Sequence, residues 1–377
     1  MAEHIDNSMT HSASNNVPLS DCFHKDSSQR HRPQDPQALN DNSDYLNTAE
    51  NPLSLIITND THFRDLQLAD ASEQASAQDW LPVTIDQISS GSYSGHYQEL
   101  NLPGIKMVIE RQNCTVHKRG IMDEKSCTLS YVRGSTDSAR VSEHQASHQA
   151  LFLIPAGTEV DVQVGGEAET VYFRLDQEYF QQQTLLLDPQ RWDRHYNPEL
   201  LCFETLGQNL LDQHINQLLT QLSSGNHHLT HNGVERYITE TLLMMLQSSQ
   251  PPTAIPFSAI DTRRRAAHLV HHVSTYLESV PNARSCPGTI DLCRETGVSE
   301  RTLQYSFKAQ LGLSPNTYLR IFRLNRVRNL LRNPSHAGIT VTEAAMHWHF
   351  WHLGRFSRDY AALFGESPSS TLRCALG

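Results

Sequence analysis

The feature that most limits what this chain can fold into is an internal repeat near its end. The segments "IDLCRETGVSERTLQYSFKAQLGLSP" (290–315) and "TEAAMHWHFWHLGRFSRDYAALFGESP" (342–368) carry the same pattern. Leu303/Phe356, Phe307/Tyr360, Leu311/Phe364, Gly312/Gly365 and Ser314-Pro315/Ser367-Pro368 lie 53 residues apart. Upstream, Leu292/Ala344, Cys293/Ala345, Gly297/His349 and Val298/Phe350 lie 52 apart, so one extra residue enters the middle of the second copy. A duplicated supersecondary element is the simplest cause.

The physics of one copy is legible. A small residue, Cys293 or Ala345, lets a first helix approach a second closely. Gly297, four residues after Cys293, takes a positive φ at low cost and makes the turn. Ser299 is an N-cap, and Glu300 suits the positive end of the second helix dipole. Leu303, Phe307 and Leu311 bury one face; Arg301, Gln304, Tyr305 and Lys308 lie on the other. This is the helix-turn-helix design, expected at about 289–311 and again at about 341–364, and its second helix enters a DNA major groove. Between the copies, "NTYLRIFRLNRVRNLLRN" (316–333) reads as a helix. Leu319, Leu324, Val327 and Leu331 turn inward, and Arg320, Arg323, Arg326 and Arg328 supply charge. A long helix of this kind would set the two units into successive major grooves about 34 Å apart.

Residues 262–373 resemble the DNA-binding domain of the AraC/XylS family of bacterial transcription regulators. The likeness rests on "GVSERTLQYSFKAQLGLSPNTYLRIFRLNRVRNLL" followed by "ITVTEAAMHWHF" and "GRFSRDYAALFGESP". The resemblance implies base reading mainly by Arg301, Gln304 and Tyr305, with Lys308 on the DNA backbone. In the second unit the matching outward positions are Leu353, Gly354, Arg355 and Arg358. The full candidate DNA-binding set is Ser299, Arg301, Thr302, Gln304, Tyr305, Lys308, Arg320, His352, Gly354, Arg355 and Arg358. The second turn departs from the family, because His349 stands where glycine is usual. The family also implies RNA polymerase as a partner, an activating role, a small-molecule effector at the N-terminal domain and a possible homodimer.

Charge distribution agrees with a nucleic-acid partner for this part alone. The chain has a formal net charge of −11, yet residues 281–377 hold twelve Lys/Arg against six Asp/Glu. The remainder holds eighteen against thirty-five, so a basic end follows an acidic body. No stretch approaches the ~20 apolar residues of a membrane span. The start, "MAEHIDNSMTHSASNN", lacks the apolar core of a secretory signal. Seven scattered cysteines with no CxxC pair suit reduced thiols and a cytoplasmic setting.

Ahead of the repeat, residues 1–50 read as a disordered polar tail. From Leu81 to Arg174 come short β-branched and aromatic runs such as "GIKMVIERQNCTVHKRG" and "ALFLIPAGTEVDVQV", bounded by turn residues. Two striped helices follow, one on Leu206, Leu210, Ile215, Leu218 and Leu222, the other on Val234, Ile238, Leu242 and Leu246. They suit either a dimer interface or a cap on the sheet. Three prolines in "PPTAIP" (251–256) mark a linker at 249–261. The fold class is therefore α+β: a β-rich, cupin-like sensor domain with a helical end (55–248), then an all-α domain (262–377) of two helix-turn-helix units joined by a long helix. The order of the sensor domain is loosely similar to ethanolamine-operon-type regulators.

The competing class is a metal-binding, cupin-like enzyme or binding protein with a helical appendage. His96, His117, His144 and His148 are isolated singles, however, and His347, His349 and His352 straddle a turn without an evident fourth ligand. No nucleophile elbow, phosphate loop or dinucleotide fingerprint is present. The expectation is a non-enzyme with no catalytic residue, metal or cofactor.

Overall fold

A computed structural model describes residues 62–134, 139–192, 201–223, 231–250, 257–280, 286–336 and 338–376. The expected tail and the linker prolines lie outside these residues. The described residues all belong to one compact unit.

The strands in chain order are β1 (His62–Leu68), β2 (Val83–Gln87), β3 (Gly95–Asn101), β4 (Ile105–Gln112), β5 (Val116–Ile121), β6 (Ser126–Gly134), β7 (Arg140–Val141), β8 (His144–Gln145), β9 (Ala150–Ile154), β10 (Glu159–Val164), β11 (Ala168–Asp176) and β12 (Leu201–Glu204). They build two antiparallel sheets, ordered β1-β3-β4-β11-β6-β9-β12 and β2-β5-β10-β7-β8. Strand reading from the sequence began at Leu81; β1 and the short helix α1 (Ala71–Ala77) precede it. The weak alternation of "HFRDLQL" hides β1, which is an edge strand paired only with β3.

The large sheet is buried on both faces, which is why "ALFLI" reads as an unbroken apolar run. Leu151, Leu153, Met107, Ile109 and Leu129 join a core with the helices α2 (Gln177–Leu187), α3 (Pro189–Trp192), α4 (Gln208–Ser223) and α5 (His231–Ser248). Phe152, Ile154, Val108 and Val132, one step along the same strands, face the small sheet and meet Ile85, Val116 and Val160. Period-two alternation thus serves two cores instead of one core and water.

The stripe expected on α5 is buried as placed: Val234, Ile238, Leu242 and Leu246 all join the sheet core. The stripe on α4 is corrected. Leu206 lies ahead of the helix and is 85% exposed, and Leu210 is 54% exposed. The inward residues are Leu211, Ile215 and Leu218, a true i, i+4, i+7 set, whereas 206 and 210 fall off that face. These stripes cap the sheet. Helix α6 (Phe257–Ser279) begins within the stretch expected as a linker.

The helical end comprises α6, α7 (Thr289–Thr296), α8 (Glu300–Leu311), α9 (Pro315–Arg332), α10 (Val341–His347), α11 (Leu353–Phe364) and α12 (Pro368–Leu376). One core joins them, and Ile88 from the segment after β2 inserts into it. Among the described residues no helix is long and apolar enough to cross a membrane.

Candidate nucleic-acid interface

Each repeat folds as a pair of helices about a left-handed residue. In the first, Gly297 ends α7 at φ 67°. A Cβ there would meet nothing within 4 Å, so the backbone angle alone calls for glycine. Ser299 then caps α8, its side chain accepting from Thr302 N at 3.2 Å. In the second, Thr340 and Glu343 form a capping box on α10, at 3.1 and 2.8 Å. His349 holds the left-handed position at φ 61°, where a non-glycine residue costs roughly 1–2 kcal/mol. His352, the residue before α11, makes no side-chain cap.

The buried faces match. Leu303, Phe307 and Leu311 line the first unit and Phe356, Tyr360 and Phe364 the second. Ala344 and Ala345 are fully buried, which lets α10 approach its neighbours, and Trp348 packs edge-on to Phe322 of α9. Of the tryptophan-rich run, Ala345, Trp348, Phe356 and Tyr360 are buried, whereas His347, Trp351 and His352 are exposed.

The opposite faces differ. On α8, Arg301, Thr302, Gln304, Tyr305 and Lys308 are exposed along with Ser299. Their ties are local: Ser299 Oγ accepts from Thr302 N (3.2 Å) and lies 2.9 Å from Thr302 Oγ1, Gln304 donates to Glu300 (3.1 Å) and Lys308 to the Gly312 carbonyl (3.0 Å). On α11, Gly354, Arg355 and Arg358 are exposed, as is His352 ahead of them, while Leu353 is half-buried. Arg358 bonds the Gly354 carbonyl at 3.3 Å. Arg355 and Arg320 share Asp359, at 3.8 and 3.6 Å. A cleft of about 410 Å³ opens here, lined by Arg320, Arg323, His349, His352, Arg355 and Asp359. Trp351 stands beside it 67% exposed. Sequence reasoning missed Trp351 and Asp359; the i, i+4 spacing of Asp359 from Arg355 was the available signal.

The arginines of α9 require correction. Arg320 and Arg323 both line the cleft, Arg323 stacked on Phe350 at 4.9 Å. Arg326 pairs with Asp86 and Glu278, at 3.5 and 3.3 Å. Arg328 is buried, paired with Asp70 and, at 2.8 Å, with Glu366. Arg326 and Arg328 thus point at the β-rich part instead of outward, because that part brings Asp86 and Asp70 against them. Burial alone would raise the Asp70 carboxyl, but Arg328, Ser72 and Arg332 hold it below its ordinary value.

The β-rich part grips both repeats at the same place. Arg140 Nε donates to the Gln310 carbonyl at 3.0 Å near the end of α8. Gln87 Nε2 and Gly91 N donate to the Leu363 carbonyl, each at 2.9 Å. Gln310 and Leu363 are 53 residues apart and occupy one position of the repeat. Both are among the last carbonyls of their helices, which lack intrahelical partners. Midway, Gln87 N and O bond the Asn325 side chain on α9 at 3.1 and 2.9 Å.

Among the described residues no group of three or more His, Cys, Asp or Glu side chains could hold a metal ion. His117, the one fully buried candidate of a cupin site, faces Asp161 at 3.3 Å, and burial holds its pKa below the ordinary value.

Two crossed helix pairs with matching cores, duplicated about one long helix, define a helix-turn-helix class of protein. Residues 292–373 match the family described as "Helix-turn-helix domain", and this part of the chain is a helix-turn-helix domain. The chain is similar to the "Probable thc operon regulatory protein" of Rhodococcus erythropolis, 40% identical over 98 residues, 26% of this chain and 29% of the relative. It is also similar to the "XylDLEGF operon transcriptional activator" of Pseudomonas putida, 41% identical over 76 residues, 20% of this chain and 24% of the relative. The crystal structure of a probable AraC family transcriptional regulator from Rhodopseudomonas palustris CGA009 is 36% identical, covers 29% of this chain and 97% of its own, and has a TM-score of 0.26. The chain thus spans under a third of the length of these curated relatives.

Proposed function

We propose that this protein is a sequence-specific DNA-binding regulator of transcription of the AraC/XylS type, acting as an activator in the cytoplasm. Residues 262–377 bind DNA, and residues 55–248 sense a small molecule. The observation that carries this reading is the repeat itself: two units share one buried design about α9, and each leaves a polar or basic helix face free. In the first unit Arg301, Gln304 and Tyr305 read base edges, while Ser299, Thr302 and Lys308 settle the helix on the backbone. In the second, Arg355, Arg358 and His352 with Arg320 grip phosphates around the cleft, and Gly354 lets the helix approach closely. RNA polymerase and a second copy of the chain are the protein partners that fit this role.

Selection from random duplex oligonucleotides, followed by fluorescence anisotropy, tests the reading. A specific site should emerge and bind about 10³-fold or more tighter than random duplex at one salt concentration. Equal affinity for selected and random DNA would overturn it.

A further inference from the structure

A second built site lies away from the recognition helices, where the small sheet meets α6. A cavity of about 290 Å³ there is lined by Glu143, Glu159 and Asp161 from the sheet side and by Arg264, His268 and His271 from α6. Its size sits at the lower end of the roughly 300–1,000 Å³ of small-molecule sites.

The lining is unequally satisfied. Asp161 is only 4% exposed. Its Oδ1 accepts from Arg140 Nη2 at 3.0 Å and lies 3.3 Å from His117, but no protein group partners the buried Oδ2. Burial would raise this carboxyl, yet His117 and Arg140 hold it well below its ordinary range, so it stays ionised at neutral pH. A buried carboxylate oxygen without a donor is costly. Glu159, 52% exposed, approaches His271 Nε2 at 3.2 Å, and His271 Nδ1 is buried without a partner. Glu143 pairs with Arg264 at 3.0 Å. Three carboxylates against the two guanidiniums of Arg140 and Arg264 leave a negative excess that favours a cation. The residues do not form a metal-holding group, which leaves an organic one.

We propose that this cavity binds a small organic ammonium ion, which pairs with Glu159 and, with a small rotation of the Asp161 carboxylate that uncovers Oδ2, bonds that oxygen. Such a ligand touches the sheet and α6 together. It also shares Asp161 with Arg140, the residue that holds the Gln310 carbonyl at the end of α8. Its effect therefore reaches the first recognition helix through one side chain, whereas the second, held by Gln87 and Gly91, is bypassed. That consequence for DNA rests on the proposed function; the binding site itself does not.

Calorimetric titration of the full chain with propylammonium and 1,4-diaminobutane, against 1-propanol and propionate, is the test. Saturable binding of the amines alone is expected, weakened about tenfold or more in Asp161→Asn. Glu159→Gln, at a half-exposed position that folding tolerates, should weaken it about two- to fivefold. Absent amine binding, equal binding of 1-propanol, or affinities unchanged in both variants would overturn the site. Anisotropy with selected DNA, with and without amine, separates the two readings. Amine binding without any DNA binding leaves the site standing and sinks the regulator; DNA binding with silent amines does the reverse.

Discussion

The two helix-turn-helix units were built from one pattern and have been treated differently by their surroundings. Their buried positions agree almost side chain for side chain, Leu303 with Phe356, Phe307 with Tyr360 and Leu311 with Phe364. Their turns and outer faces do not. The first unit has glycine at its left-handed residue, a serine cap and an uninterrupted polar face. The second has a histidine at φ 61°, no side-chain cap, an exposed tryptophan and arginines that share one aspartate. Close packing penalises any change of volume inside, whereas an outer face answers only to its partner. The comparison teaches that the repeat preserves a scaffold, and under the proposed function the first copy is the one suited to base reading.

The attachments to the β-rich part differ as well, and the largest expected effect follows from that. The second unit is tied through Arg328, which bonds Tyr360 Oη and Thr371 Oγ1, at 3.4 and 3.3 Å, as well as Asp70. Asp70→Ala leaves a buried guanidinium short of its main partner and should cost about 3 kcal/mol in urea unfolding. Hydrogen exchange should rise in α11 and α12 before α8; a uniform rise would show that the two attachments are not separate.

The next effect concerns the outer faces. Arg301→Ala and Gln304→Ala should each lose about 1–3 kcal/mol of DNA affinity at one or two base pairs. Arg320→Ala and Arg355→Ala should weaken all sequences alike and reduce the salt slope by about one. If anisotropy on single-base variants shows the reverse assignment, the second copy is the reader.

The turns provide a smaller contrast of opposite sign. His349→Gly relieves a left-handed side chain and should stabilise by about 1 kcal/mol, whereas Gly297→Ala should destabilise by a similar amount. Thermal unfolding of both variants measures the pair, and equal signs would break the comparison of turns.

The last prediction is pH dependence. The grip on Gln310 runs through a network in which buried His117 faces Asp161, Arg119 and Arg140 and packs on Tyr318. Burial lowers the His117 pKa, so the folded state keeps it neutral while the unfolded state takes up a proton below about pH 6.5. Stability should therefore fall as pH drops below that value, and the slope should flatten in His117→Gln. The attachment at Leu363 uses an amide side chain and a backbone N–H, so exchange in α11 should respond less than in α8 over this range.

Much of the helical end was legible because its signals are local. A glycine turn, a serine cap and apolar residues every three or four positions act within one turn of chain, and their repetition at a spacing of 53 doubles the information. The β-rich part was legible only as a class, because an edge strand such as β1 is stabilised by its pairing with β3 rather than by its own pattern. Leu206 and Leu210 looked like core for a related reason: apolar spacing names a possible face, but packing chooses which one is covered.

From residue order alone came the duplication, the class of the fold and the set of side chains facing away from the repeat's core. Those follow from periodicity and capping, which short stretches of chain encode by themselves. Tertiary structure decided that two of the four named α9 arginines turn toward Asp70 and Asp86, that Arg140 and Gln87 hold equivalent carbonyls, and that Asp161 is buried beside a cavity. These depend on charges brought together from positions up to some 250 residues apart, and no local spacing records such a meeting.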